Sequence, residues 1–228
     1  MRTEKLAAIG QLAASVSHEL RNPLGAIRNA IYYIRESLKG AQILKKDPEL
    51  EEFILLADKE VSRANQIIGD LLDFSRSIKL LRGLTNIAVV LRETLKSLEI
   101  PSNVKIQVDA APDLPQVLVD PGRMVQVFAN LILNAVQAMP EGGELRITAE
   151  ADNPEGRAQL SIKFKDSGTG IPPEIKNKIF EPLFTTKAKG TGLGLPICAS
   201  IIQAHNGTIA VESEDGKGAA FTIRLPLA

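Results

Sequence analysis

The chain has 228 residues, enough for one large domain or two small ones. Hydrophobic residues make up 44% and charged residues 24%, and the 27 basic side chains equal the 27 acidic ones. That balance excludes a disordered chain and a global field drawing it to nucleic acid or to a membrane surface. No run of about 18 apolar residues is present, so no membrane segment is expected, and neither is a signal peptide. The single cysteine, Cys198, cannot form an intramolecular disulfide, which fits a reducing compartment. Met1 leads straight into Arg2-Thr3-Glu4-Lys5 and a helical pattern, so the expectation is a fragment whose preceding region has been removed.

In chain order, the first predicted element is a helix from residue 3 to about 39. Val16, Leu20, Leu24, Ile27, Ile31, Ile34 and Leu38 recur at spacings of three and four and form one apolar stripe. His18 lies off that stripe and shares a face with Asn22, with Glu19 adjacent. Pro23 removes a backbone donor just below them and is expected to bend the helix. Taken alone, His18 reads as a solvated surface histidine. Gly40 and Lys45-Lys46-Asp47-Pro48 end the helix, and Pro48 suits the first turn of the next.

The second helix is expected over about 49–80. Leu50, Ile54, Ala57, Val61, Ala64, Ile68, Leu71 and Ile78 keep a heptad rhythm, and Phe53, Ile67, Phe74 and Leu81 add a second stripe. Two antiparallel helices cannot bury two stripes between themselves. A homodimer forming a four-helix bundle is the expected solution. Its rival is a monomer whose extra stripe packs on the C-terminal region.

Arg82-Gly83 reads as a short linker, dividing the chain into 1–82 and 83–228. Asn86 can cap a helix running to about Leu98. Alternation then predicts strands around Val104–Val108, Leu145–Ala149, Leu160–Phe164, Ile209–Val211 and Phe221–Leu225, with helices at about 121–139 and 192–205. Half-buried strands covered by helices on one face make a two-layer α/β sandwich.

Four stretches of the sandwich carry chemistry. Asn130 and Asn134 sit four apart on the edge of an apolar helix face, and partly buried amides need partners such as a metal or phosphate oxygens. Asp166 shares the parity of Ile162 and Phe164, which aims its carboxylate at the covered face, while Gly168 and Gly170 let the backbone approach a ligand closely. A donor such as an adenine amino group would satisfy that carboxylate, and a tight solvated turn is the alternative. Phe180-Glu181-Pro182-Leu183-Phe184-Thr185-Thr186-Lys187 looks like a loop that closes over a ligand. Gly190-Thr191-Gly192-Leu193-Gly194 opens a helix whose backbone amides can meet phosphate. It follows no strand, so a Rossmann site is ruled out.

In this order and spacing the stretches resemble the transmitter core of two-component sensor histidine kinases. Ser17 to Leu24 is similar to the family's H box, Asn130 to Ala135 to its N box, Asp166 to Gly170 to G1, Phe180 to Phe184 to F, and Gly190 to Gly194 to G2. The resemblance implies an all-α dimerisation and phosphotransfer hairpin followed by a Bergerat-type ATP-binding domain. It also implies that His18 accepts the γ-phosphoryl group of ATP with Glu19 taking its proton. Asn134 would coordinate Mg²⁺ with Asn130 beside it, and Asp166 would read adenine in a pocket shaped by Gly168 and Gly170. Residues 181–191 would form a mobile lid, with Thr191, Gly192, Leu193 and Gly194 at the phosphates. The phosphoryl group would pass to a response-regulator aspartate in trans, in the cytoplasm, and Asn22 would orient water for dephosphorylating that regulator.

Many relatives carry a basic residue about three positions after the second N-box asparagine; here Gln137-Ala138 stands there, as in the nitrogen-regulatory type. Lys187 is the expected substitute contact to phosphate. His205, before Asn206-Gly207, is expected to cap a helix end. ATPases of the gyrase or mismatch-repair type carry a glutamate at the place of Asn130 and lack the hairpin. A non-catalytic scaffold is a further alternative.

Overall fold

The computed structural model describes residues 2–38, 47–75, 79–111, 113–152, 158–187 and 190–227. For 2–19, 48, 66, 70 and 73–75 it describes the backbone alone. The chain divides into two compact units, Met1–Ser77 and Ile78–Ala228.

The first unit is a helical hairpin of α1 (Arg2–Leu38) and α2 (Pro48–Ser75). α1 runs through Pro23 as one helix. The start of α2 is written locally: Asp47 Oδ1 accepts from Leu50 N at 3.2 Å, Pro48 fills the first turn, and Glu49 and Glu51 face the positive helix end. α2 is described as far as Ser75, and Lys79–Arg82 is not helical, so the helix ends before the expected position near 80. Val61, Ile68 and Leu72 are buried, and α1 packs against α2. Residues 39–46 of the expected turn, Ile78, and the side chain of Phe74 lie outside what is described. Much apolar surface stays open: Tyr33 is 73% exposed and Phe53 65%.

In the second unit, Arg82-Gly83 is no free linker. Gly83–Thr85 is a strand, β1, paired antiparallel with β3 (Val117–Val119). Leu81 N donates to Asp120 Oδ2 at 2.8 Å, and Arg82 Nη2 donates to the Ala204 carbonyl. Leu81 and Arg82 are therefore both bonded to this unit.

α3 (Ile87–Ser97) is capped by Asn86, whose Oδ1 accepts from Ala88 N at 2.9 Å. β2 (Val104–Ala110), β4 (Gly143–Asp152), β5 (Gln159–Asp166), β6 (Thr208–Ser213) and β7 (Ala219–Pro226) form one mixed sheet in the order β2-β4-β5-β7-β6. β2 and β4 are parallel and the other pairs antiparallel. α4 (Pro121–Gln137) and α6 (Gly194–Ala204) pack on one another, and a single turn, α5 (Pro173–Lys176), precedes the F-box stretch. Met124, Val127, Phe128, Leu131, Ile132 and Ala135 form the buried stripe of α4. Phe128 meets Phe164 of β5 at a centroid distance of 5.6 Å, which anchors α4 on the sheet. The expected two-layer sandwich is the observed one.

Candidate nucleotide site

β5 sets the site. Leu160, Ile162, Phe164 and Asp166 alternate inward, so the period-2 pattern that buries three hydrophobic residues also buries a carboxylate, 4% exposed, at the strand end. Asp166 Oδ1 accepts from Gly168 N at 2.9 Å and from Ala219 N at 3.2 Å. Burial raises its pKa, against the pull of those donors and of the Lys187 charge. The bonds from Gly168 and Ala219 both end on Oδ1.

Gly168 is required by packing. A Cβ there would lie 2.8 Å from Ala138 Cβ at the end of α4, where Thr169 N also donates to the Ala138 carbonyl at 3.1 Å. The turn holding Asp166 is thereby fastened to the end of the helix that carries Asn130 and Asn134. Gly170 follows with φ 73°.

α4 presents the asparagines for a local reason. Asp120 caps the helix by accepting from Arg123 N at 3.1 Å, and Pro121 starts it. Asn130 and Asn134 then fall on the rim of the buried stripe, both half-buried. Burial pushes the Asp120 carboxyl up, but the donors Leu81, Arg123 and Gly122 and the Arg123 charge outweigh it and hold the pKa low.

The F-box stretch turns sharply at Leu183, whose φ of 65° is unusual for a branched residue. Leu183 N donates to the Gly192 carbonyl at 3.0 Å, which pins this stretch to the glycine loop. Gly192 itself has φ 66°, and a Cβ there would meet the Leu183 backbone, so only glycine fits. The Leu193 side chain is buried, and its N–H donates to Thr191 Oγ1 at 3.2 Å. Only backbone of Leu193 could face a ligand. α6 starts at Gly194 without a side-chain cap, beside Asn130, whose Oδ1 is 3.3 Å from where a Gly194 Cβ would stand. Uncapped N–H groups at a helix start favour an anion.

Lys187 reaches from its loop to α4. Its Nζ donates to Asn134 Oδ1 at 3.1 Å and to Gln137 Oε1 at 2.7 Å. Desolvation lowers its pKa, and the Asp166 charge raises it. Gln137 is the one partner that spacing alone did not mark as part of the site. The available signal was an amide one turn beyond Asn134, where many relatives carry a cation.

Asn134 suits a cation, since its amide oxygen already accepts from an ammonium. Among the described residues no three His, Cys, Asp or Glu gather into a metal cage. A Mg²⁺ ion would complete its shell with phosphate oxygens and water, its usual preference.

In the other unit, Asn22 is exposed on α1, and the backbone of His18 and Glu19 is helical. The side chains of His18 and Glu19 lie outside what is described. The structure thus brings together Asn130, Asn134, Asp166, Lys187 and the two glycine stretches, all within the second unit.

Comparison with known proteins defines the class. Residues 119–228 match the family of histidine kinase-, DNA gyrase B- and HSP90-like ATPases. Residues 8–79 match the His Kinase A phospho-acceptor domain. The chain belongs to the sensor histidine kinase family, with a phospho-acceptor hairpin followed by an ATPase-type domain. It is 36% identical to the sensor histidine kinase ZraS of Escherichia coli K12, over 99% of this chain and 47% of that protein. It thus spans about half of that relative's length. Full-length ShkA in complex with AMPPNP superposes with a TM-score of 0.72 at 28% identity, covering 96% of this chain and 46% of that one. The histidine kinase ThkA in complex with the response regulator TrrA gives 0.65 at 30% identity, covering 100% and 64%. Among the described residues no helix is long and apolar enough to cross a membrane.

Proposed function

We propose that this chain is the kinase core of a two-component sensor. The observation that carries the reading is one constellation: buried Asp166 beside Lys187, Asn134 and the uncapped start of α6. Asp166 accepts from the adenine amino group through Oδ2. Gly168 and Gly170 shape the pocket around the base. Backbone amides at Gly192, Leu193 and Gly194, with Thr191 and Lys187, face the phosphates. Asn134, with Asn130 beside it, holds Mg²⁺, which neutralises phosphate charge. Catalysis is mostly positioning and charge neutralisation, as in other phosphoryl transfers.

A ring nitrogen of His18 attacks the γ-phosphorus. The bond to the β,γ-bridging oxygen breaks, ADP leaves, and the ring proton passes to Glu19. The N–P bond then breaks as an aspartate carboxylate of a response regulator takes the phosphoryl group. The ShkA and ThkA complexes support the nucleotide and the regulator respectively. A homodimer through the hairpin is supported by the exposed Tyr33 and Phe53. The hairpin unit acts as the phosphotransfer domain and the second unit, from Ile78 on, as the catalytic domain, working in the cytoplasm where ATP and regulator are found. Gln137 supports a kinship with the nitrogen-regulatory type.

The test is autophosphorylation with γ-labelled ATP and Mg²⁺. Wild type should acquire acid-labile, alkali-stable label, and His18→Gln and Asn134→Asp should acquire none. Free phosphate released without labelled protein would move the assignment to a plain ATPase. Asn22, one helical turn beyond His18, orients water for regulator dephosphorylation. Asn22→Ala should slow that reaction while sparing autophosphorylation, and an unchanged dephosphorylation rate removes the role.

A further inference from the structure

Lys187 is held in an unusual way for a lysine beside a buried acid. Its two hydrogen bonds, to Asn134 and Gln137, end on neutral amide oxygens of one helix face. Such acceptors fix an ammonium in place without neutralising it. The lysine is fixed from its own side too. Its backbone N–H donates to Thr185 Oγ1 at 3.1 Å, and the Leu183–Gly192 bond fastens the same loop to the glycine stretch. A charge aimed by two elements and cancelled by neither hydrogen-bond partner is built to meet an anion.

We propose that Gln137 is a positioning residue for the ATP phosphates: it holds the Lys187 ammonium so that the loop supplies the cation that α4 lacks. This rests on the nucleotide reading above. Gln137 touches Lys187 and acts through it. A cation at position 137 would repel Lys187, so the loop-borne and helix-borne arrangements exclude one another.

The experiment uses the whole 228-residue chain. ATP and adenosine dissociation constants are read by competition against a fluorescent ATP analogue, with a melting curve for each variant. Lys187→Met should weaken ATP by about tenfold or more, the effect of losing one charge-assisted hydrogen bond. Gln137→Leu should weaken ATP in the same direction by a smaller factor, with adenosine binding unchanged. The double variant should bind no more weakly than Lys187→Met alone, because Gln137 acts through the lysine. Gln137→Arg should weaken ATP on its own and restore it when combined with Lys187→Met. Gln137→Glu keeps the hydrogen bond but neutralises the cation, so it should weaken ATP without lowering the melting temperature. It serves equally well if Gln137→Leu does not fold. ATP affinity left intact by Gln137→Glu overturns the proposal, as do strictly additive losses or a parallel loss of adenosine. Wild type that binds no ATP overturns the nucleotide reading as well.

Discussion

The two units bury their hydrophobic residues to very different extents. In the sandwich, Phe128, Phe164, Met124, Leu131, Ile132, Leu145, Ile147, Leu160 and Ile162 are fully buried within the chain. In the hairpin, Val61, Ile68 and Leu72 are buried, while Tyr32, Tyr33, Phe53, Leu55 and Leu56 stand exposed. One unit closes its core by itself; the other presents an apolar surface fit for a second copy. That contrast matches the proposed labour: a self-sufficient catalytic unit, and a phospho-acceptor completed by dimerisation.

The sharpest way to break the comparison is Phe53→Glu. Each copy would lose about 1.5–3 kcal/mol of side-chain burial in the dimer and gain a charge there. Sedimentation should show monomer at concentrations where wild type is dimeric, while ATP affinity of the sandwich stays unchanged. A variant that remains dimeric would mean that this stripe is not the interface.

Next in size is Asp166→Asn, which tests whether the sandwich gives up stability for binding. A charged hydrogen bond to adenine is worth about 1.5–3 kcal/mol, so ATP affinity should fall roughly tenfold to a hundredfold. Stability should move the other way. Burial raises the folded-state pKa above 3.8, so folding opposes ionisation. The unfolded chain therefore releases this proton first as pH rises, and the resulting cost is absent below 3.8 and complete above the folded pKa. Asp166→Asn should melt higher than wild type at neutral pH, with the gap closing as pH falls toward 3.8. A variant that melts lower at neutral pH would show the carboxylate to be a structural anchor.

Sequence and structure agree where the signal is periodic. The parity of β5 alone predicts an inward Asp166, and the stripe of α4 alone predicts both asparagines on its rim, as the structure has them. Asn86 as a cap was equally legible, because a cap is a local bond. β1 and β3 were not. Each has three residues, too few to show alternation, and they pair across a long stretch of chain, as in Gly83 with Val119. That pairing is why Arg82-Gly83 resembled a linker. The meeting of Lys187 with Gln137 crosses 50 positions between a loop and a helix, where no spacing rule operates.

The smallest expected effect concerns His205, which caps the end of α6 as the sequence predicts and is also a buried connector, 2% exposed. Asp120 N donates to its Nε2 at 2.9 Å, so Nε2 is an acceptor and Nδ1 carries the hydrogen, which faces the Ile201 carbonyl at 2.8 Å. A proton on Nε2 would set two N–H groups against each other. Burial is the main force lowering its pKa, opposed by the Ile201 carbonyl, with the Arg82 charge lowering it and Asp120 raising it. With the folded pKa below 6.5, the unfolded chain takes up the proton first on acidification. Stability supplied by neutral His205 is complete above 6.5 and is lost as pH falls through the folded pKa. The loss is about 1 kcal/mol, the size of one hydrogen bond. Asp120 caps α4, and His205 ends α6, so acid would loosen the far ends of both helices that build the nucleotide site. Melting of the sandwich should drop below pH 6.5 in wild type and follow a flatter curve in His205→Gln, with the hairpin transition alike in both. Parallel curves for the sandwich would remove His205 as the group responsible.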